Sequence, residues 1–396
     1  MAIRKLDIIA AAAILLLSFS SASDAQVFDV TKYGAKADGR SSISQALMSV
    51  WKLACASTRP SKIVIPKGTF LLGEVKIQGP CKAPVEIEVQ GTVKAPADPS
   101  SFETDGWLTF SYIDNFTLSG GGVFDGQGKI AWEQNDCHKN KKCNKIPMNL
   151  RFDFITNALV HDITTLDSKN FHVNVLGCKN FTFLRFKVAA PDDSPNTDGI
   201  HIGRSDGIYI TDSTIGTGDD CISLGDGSRQ VHVTGVKCGP GHGISVGSLG
   251  KYKGEEPVSG FWVKNCTLIN TENGVRVKTW PASYPGSVSD LHFENINMVK
   301  VRNPIVIDQV YCPWNQCQAN IPSLVKINNV SFKNIRGSSS TAVAVKLACS
   351  SKVPCKDVVV ADIHLTYEGP EAPAASSQCS NVVPSILGKQ SPQVCA

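Results

Sequence analysis

Three aspartates, two basic residues and a histidine recur at matching places in short, related segments of the chain. Asp198-Gly-Ile-His-Ile-Gly203 is followed 22 residues later by Asp220-Cys-Ile-Ser-Leu-Gly225, and 22 further by His242-Gly-Ile-Ser-Val-Gly247. A fourth copy, Asn273-Gly-Val-Arg-Val-Lys278, comes after another 31 residues, and Asp219 adds a third carboxyl beside Asp220. Cleaving a glycosidic bond needs two carboxyl groups: one protonates the departing oxygen and another activates water. Crowded carboxyls cannot all ionise freely, so one keeps its proton near neutral or mildly acidic pH. Arg276 and Lys278 suit an anionic sugar, the arginine in bidentate fashion, and a uronic acid is the natural candidate. Three aspartates also suit Ca²⁺, but Arg276, Lys278 and His242 beside them weaken cation binding.

The repeat dictates what holds these residues. Periods of 20 to 40 residues with several short strands each indicate a solenoid. The third and fifth residues of each copy (Ile200/Ile202, Ile222/Leu224, Ile244/Val246, Val275/Val277) are apolar and face a core. Weaker copies put Val173 before the series and Ile305 and Val343 after it. A second ladder interleaves with the first: Leu159 to Ile163, Ile208/Ile210, Val231/Val233, Leu291/Phe293 and Val358/Val360. These strands are too short and close for crossover helices, so each repeat stacks on its predecessor about 4.8 Å away. The fold expected is all-β, a right-handed parallel β-helix. A propeller would need antiparallel hairpin turns that are not seen. One helical stretch, residues 42–55 with Ile43, Leu47, Val50, Trp51 and Ala54 in register, is expected to cap the amino-terminal end against edge pairing.

The fourth-position column (His201, Ser223, Ser245, Arg276) should face solvent. Strict alternation would turn Asp198 and Asp220 inward, which burial cost forbids. A bend at Gly199, Cys221 and Gly243 is therefore expected to turn that column outward. Lys278 occupies the column of Gly203, Gly225 and Gly247, which should leave an open trough.

Charge is balanced, 39 Lys+Arg against 35 Asp+Glu in 396 residues, which argues against a dedicated nucleic-acid binder. Arg4 and Lys5 precede a short apolar run, Ile8 to Leu17, with small residues after it, so residues 1–25 read as a signal peptide cleaved after Ala22 or Ala25. Residues 26–396 are expected to form one catalytic domain, secreted, monomeric and without a membrane span. Fourteen cysteines beyond residue 25 suit disulfides, with Cys137/Cys143, Cys312/Cys317, Cys349/Cys355 and Cys379/Cys395 able to close short loops. Asn115, Asn180, Asn265 and Asn329 begin glycosylation sequons.

At these residues the sequence resembles plant polygalacturonases, the pectin-cleaving glycoside hydrolases. Four blocks carry the resemblance: Ser194-Pro-Asn-Thr-Asp-Gly-Ile-His201, Gly218-Asp-Asp-Cys-Ile-Ser223, Cys238-Gly-Pro-Gly-His-Gly-Ile-Ser245 and Gly274-Val-Arg-Val-Lys-Thr-Trp280. The one departure is Val277, where isoleucine is usual. The resemblance implies an inverting mechanism with Asp219 as general acid, Asp198 and Asp220 activating water, and His242 tuning the acid. It further implies that Arg276 and Lys278 hold the substrate carboxylate, that Asn196 supports the site, and that Tyr311 contacts the sugar on the leaving-group side. Cys221 and Cys238 would be a disulfide, and the resemblance implies no metal and no organic cofactor. The pattern is closest to the pollen-type exopolygalacturonases, which implies an extracellular, cell-wall setting with pectin or polygalacturonate as partner. An insert at residues 136–145, with four lysines and two cysteines, could wall off one end of the groove or be a surface loop. Endo action, a Ca²⁺-dependent pectate lyase and a non-catalytic pectin-binding wall protein are the alternatives.

Overall fold

The computed structural model describes residues 25–136, 146–315, 317–370 and 374–395. The signal segment, the Cys137/Cys143 pair and most of the insert lie outside them. Every strand pairing among the described residues is parallel, and the chain coils as a right-handed parallel β-helix. Among the described residues, one face is an eleven-stranded sheet running from Val75–Gln78 to Ser376–Ser380, and the remaining faces form a 22-stranded sheet.

The repeat aligns as its residues require. Ile200, Ile222, Ile244 and Val275 stack in one column, and Ile202, Leu224, Val246 and Val277 in the next, all essentially unexposed. Val173 and Ile305 extend the first column, but the following coil contributes Val345, not Val343, because register shifts near that strand's start. The second ladder likewise begins at Ala158 and not Leu159, since Ala158 pairs with Phe181 and Phe181 with Ile208. Aromatic rings stack along the same interior, with Phe110 on Phe152 at 5.1 Å and Phe293 on Phe332 at 5.2 Å between centroids.

Each coil must turn sharply between short strands, and the turns use left-handed backbone. Asn115, Asn157, Asn180, Gly207, Gln230, Gly260, Asp290, Asn329 and Asp357 form one corner, with φ between 49 and 72°. Short amide and carboxylate side chains tolerate that conformation best after glycine, which is why Asn and Asp punctuate the strands. Three of the four sequon asparagines lie on this corner.

The helix Ser44–Ala56 buries Ala46, Leu47, Val50, Trp51 and Ala54 against the first coil. Trp51 Nε1 donates to the Gln78 carbonyl at 3.1 Å, and a Cys55–Cys81 disulfide fixes the helix end. The sequence had left that pairing open. Cys221–Cys238, Cys312–Cys317, Cys349–Cys355 and Cys379–Cys395 are bonded as expected, and Cys178 and Cys266 are free thiols in the core. No helix among the described residues is long and apolar enough to cross a membrane.

Candidate active site

The acids lie on the outer side of the eleven-stranded sheet, where its consecutive strands Ile200–Gly203, Ile222–Leu224, Ile244–Leu249 and Asn273–Thr279 meet the turns before them. The expected bend is present. A Cβ on Gly199 would lie 2.4 Å from both Ile215 Cγ2 and the Cys221 carbonyl oxygen, so position 199 points inward, as Ile200 does. Cys221 points inward too, bonded to Cys238. Two successive inward residues break the alternation and send Asp198 and Asp220 out onto the face that carries Ser223, Ser245 and Arg276.

That face is not a solvated one, however. Ser223 and Ser245 are 2% and 0% exposed because the carboxylates and cations fold over them. Ser223 Oγ donates to Asp198 Oδ2 at 2.8 Å, and Ser245 Oγ donates to Asp220 Oδ1 at 2.7 Å. Arg276 reaches Ser245 Oγ through Nε (3.1 Å) and Asp220 Oδ1 through Nη2 (2.9 Å). Lys278 Nζ meets the other Asp220 oxygen at 2.7 Å. Nor is the glycine column an empty trough: His201 lies over Gly225, where a Cβ would be 3.2 Å from its Nε2.

Electrostatics separates the three carboxyls. Burial alone would raise Asp220, but Lys278 and Arg276 outweigh it and hold the group at about 2. Asp198 is pushed well above the usual carboxylate range, by burial first and then by the charges of Asp219 and Asp220. Asp219 has the most exposed side chain of the acid cluster, 23% against 1% for Asp220. Its Oδ1 accepts from the Asp220 backbone N–H at 2.7 Å and from His242 Nδ1 at 3.0 Å. His242 Nε2 is 3.3 Å from Glu272. Burial would lower His242, yet the bond and charge of Asp219, helped by Glu272, raise it, so in mild acid the ring is a cation donating to Asp219 Oδ1 and to Glu272.

Tyr311 covers the two basic residues, with Lys278 Nζ 5.3 Å and Arg276 Cζ 6.0 Å from its ring centre and Trp280 edge-on at 5.7 Å. Asn196 sits apart: exposed, in left-handed backbone and bonded through Nδ2 to Asn170 Oδ1, with no bond to the acids among the described residues. A cleft of ≈ 490 Å³ opens from His242 past Glu272 to Lys300 and Arg302. Asp219, Asp220 and His242 bring possible ligand atoms within 4.8 Å of one another. A cation there would have to displace Arg276 and Lys278 from Asp220, so the group is better suited to acid–base work than to metal binding. Sequence reasoning missed Ser223 and Ser245 as partners of the acids, His201 as the partner of Ser223, and Glu272 as the partner of His242. For the serines the usable signal was position, since each lies one coil beyond an outward-turned aspartate.

A parallel β-helix whose coils gather three carboxyls, a histidine and two cations, with the histidine lining an open cleft, has the makings of a glycoside hydrolase. Residues 55–392 match the model for glycosyl hydrolases family 28. The chain is 56% identical over 382 residues to a polygalacturonase of Nicotiana tabacum, covering 96% of this chain and 95% of that one. It is 58% identical over 354 residues to an exopolygalacturonase of Oenothera organensis, covering 89% and 98%. Among solved structures, the endo-xylogalacturonan hydrolase of Aspergillus tubingensis superposes with a TM-score of 0.79 at 23% identity, covering 91% and 99%. The chain belongs to glycosyl hydrolases family 28.

Proposed function

We propose that the protein is a secreted, inverting and exo-acting polygalacturonase that hydrolyses α-1,4-galacturonosyl bonds of pectin. The observation that carries this reading is the pairing of Asp220 with both Arg276 and Lys278. It keeps one carboxylate ionised and sets two cations, with donors to spare, beside the reacting centre. Arg276 has five N–H donors and Lys278 three. Only some are used on Asp220 and Ser245, so a galacturonate carboxylate can be held by the rest. Tyr311 closes over that place, and Lys300 and Arg302 extend the basic lining along the adjoining cleft.

Asp219 is the general acid because it is the carboxyl with access to the groove. Asp198 and Asp220 activate water. With the catalytic proton on Asp219, both partners are bases. Asp219 and Asp220 approach more closely than inverting pairs generally do, within 4.8 Å at one oxygen each. A retaining nucleophile would have to reach the anomeric carbon, and Asp220 is 1% exposed with both oxygens engaged. Inversion therefore fits better. Asn196 would support the sugar beyond Asp198.

Exo action is supported by the 58% identity to an exopolygalacturonase and by the stems of the insert. Trp132 Nε1 donates to the Ser168 carbonyl at 2.9 Å, and Asn170, the partner of Asn196, donates to the Ile146 carbonyl at 3.1 Å. Both stems are thus tied to the turns that lead into the groove. Residues 26–396 would act as one monomeric domain in the cell wall, glycosylated on its exposed corners. The test is product sizing on a defined oligogalacturonide. Monogalacturonate alone from the first turnovers supports exo cleavage, and a spread of oligomers means endo cleavage. Unsaturated, ultraviolet-absorbing products abolished by chelator would make the protein a lyase.

A further inference from the structure

His201 and Ser223 are direct neighbours on adjacent strands. His201 Nδ1 lies 2.7 Å from Ser223 Oγ, whose hydroxyl lies 2.8 Å from Asp198 Oδ2. Ser223 is buried, and the His201 ring is fixed between Phe171, at 5.1 Å, and the bare backbone of Gly225. The serine has one proton to give. When Asp198 is ionised, Ser223 must donate to it, so Nδ1 of His201 must carry the hydrogen and donate to Ser223. Both bonds then point at the carboxylate. A proton on Asp198 Oδ2 would force one of them to reverse or break, and a proton on Oδ1 would leave Oδ2 a neutral and weaker acceptor for Ser223. A chain of donors aimed at a buried carboxylate favours its charged form and polarises along its length.

We propose that His201 is a positioning residue that acts through Ser223 to keep the proton shared by the three carboxyls off Asp198. The step is a redistribution of one proton: Asp198 gives it up, Asp219 holds it for the leaving oxygen, and no bond to the sugar is involved. Burial and the charge of Lys278 lower His201 to about 4, which keeps the ring neutral, with a single ring proton, over the working range. The charges facing the relay are Asp219, Asp220 and Lys278 around Asp198, and Lys278, Asp220 and Asp226 around His201. The inference rests on Asp198 being a catalytic base.

The test is the pH profile of kcat/KM on polygalacturonate for His201→Phe, His201→Asn, Ser223→Ala and the double variant His201→Phe/Ser223→Ala, with thermal melts as a check on folding. With the relay broken, Asp198 holds its proton to higher pH. The acid limb should move up by about half to one pH unit, with kcat at low pH falling several-fold more than kcat near neutrality. His201→Asn, whose amide can donate from nearly the same place, should restore most of the shift. The double variant should shift no further than Ser223→Ala. A uniform drop in kcat with an unmoved acid limb, or equal behaviour of the Phe and Asn variants, overturns the relay. Asp198→Asn is the separate control: its full activity would overturn the reading of Asp198 as a base, whatever His201 does.

Discussion

Lys278 serves two masters, the Asp220 carboxylate at 2.7 Å and, in the proposed function, the carboxylate of the substrate. Lys278→Met keeps most of the volume and removes the charge. On polygalacturonate kcat/KM should fall by roughly ten- to a hundredfold, the equivalent of about 1.5–3 kcal/mol for a charged hydrogen bond. On fully methyl-esterified substrate a smaller loss should remain, because Asp220 still loses a partner. The acid limb should move up on both substrates as Asp220 is no longer held down. Equal losses on the two substrates would mean that the lysine serves Asp220 alone. Asp219→Asn should lower kcat by at least about a thousandfold with the melt unchanged, the upper range of general-acid contributions; activity within tenfold of wild type would remove Asp219 from that role.

The turn before each strand aims the acids, and Gly243 shows what that requires. Its φ is +94°, and a Cβ there would lie 2.1 Å from the Asn273 carbonyl oxygen and 2.4 Å from that of Gly274. Neither backbone atom can yield without opening the stack. Gly243→Ala should therefore cost at least about 2 kcal/mol and also lower kcat, since His242 is its neighbour. Gly203→Ala is the contrasting change: a Cβ there meets only Leu176 Cδ1, at 3.7 Å, and melting curves should differ little from wild type. At this scale the sequence was most readable. Ile200, Ile222, Ile244 and Val275 announce their shared column because parallel stacking turns an interval in the chain into one coil. Register drifted by one or two residues at Leu159 and Val343, where neighbouring apolar residues compete for the inward position. The cap disulfide was unreadable because Cys55 and Cys81 come from the capping helix and a loop outside the repeat. Asp198, Asp220 and His242 were legible as a cluster, whereas the burial of Ser223 and Ser245 was not, since alternation says which face a residue is on but not what lies over it.

For the molecule as a whole, the groove is a place where folding and ionisation are linked. The folded value of His242 is raised above its ordinary 6.5. Its contribution to stability is therefore fully present below about pH 6.5 and lost as pH rises through the raised value. The melting temperature of the wild type should exceed that of His242→Gln in mild acid, and the gap should close in alkali. A gap independent of pH would mean that the ring is held by packing alone. In the proposed mechanism two ionised carboxyls direct water at an α-linked galacturonosyl bond while Asp219 protonates the leaving oxygen. Proton NMR of the first minutes of oligogalacturonide hydrolysis, before mutarotation, tests it most directly. The newly formed reducing end should appear first as the β-anomer. An initial α-anomer would mean a covalent glycosyl-enzyme, and would contradict the roles given to Asp198 and Asp220.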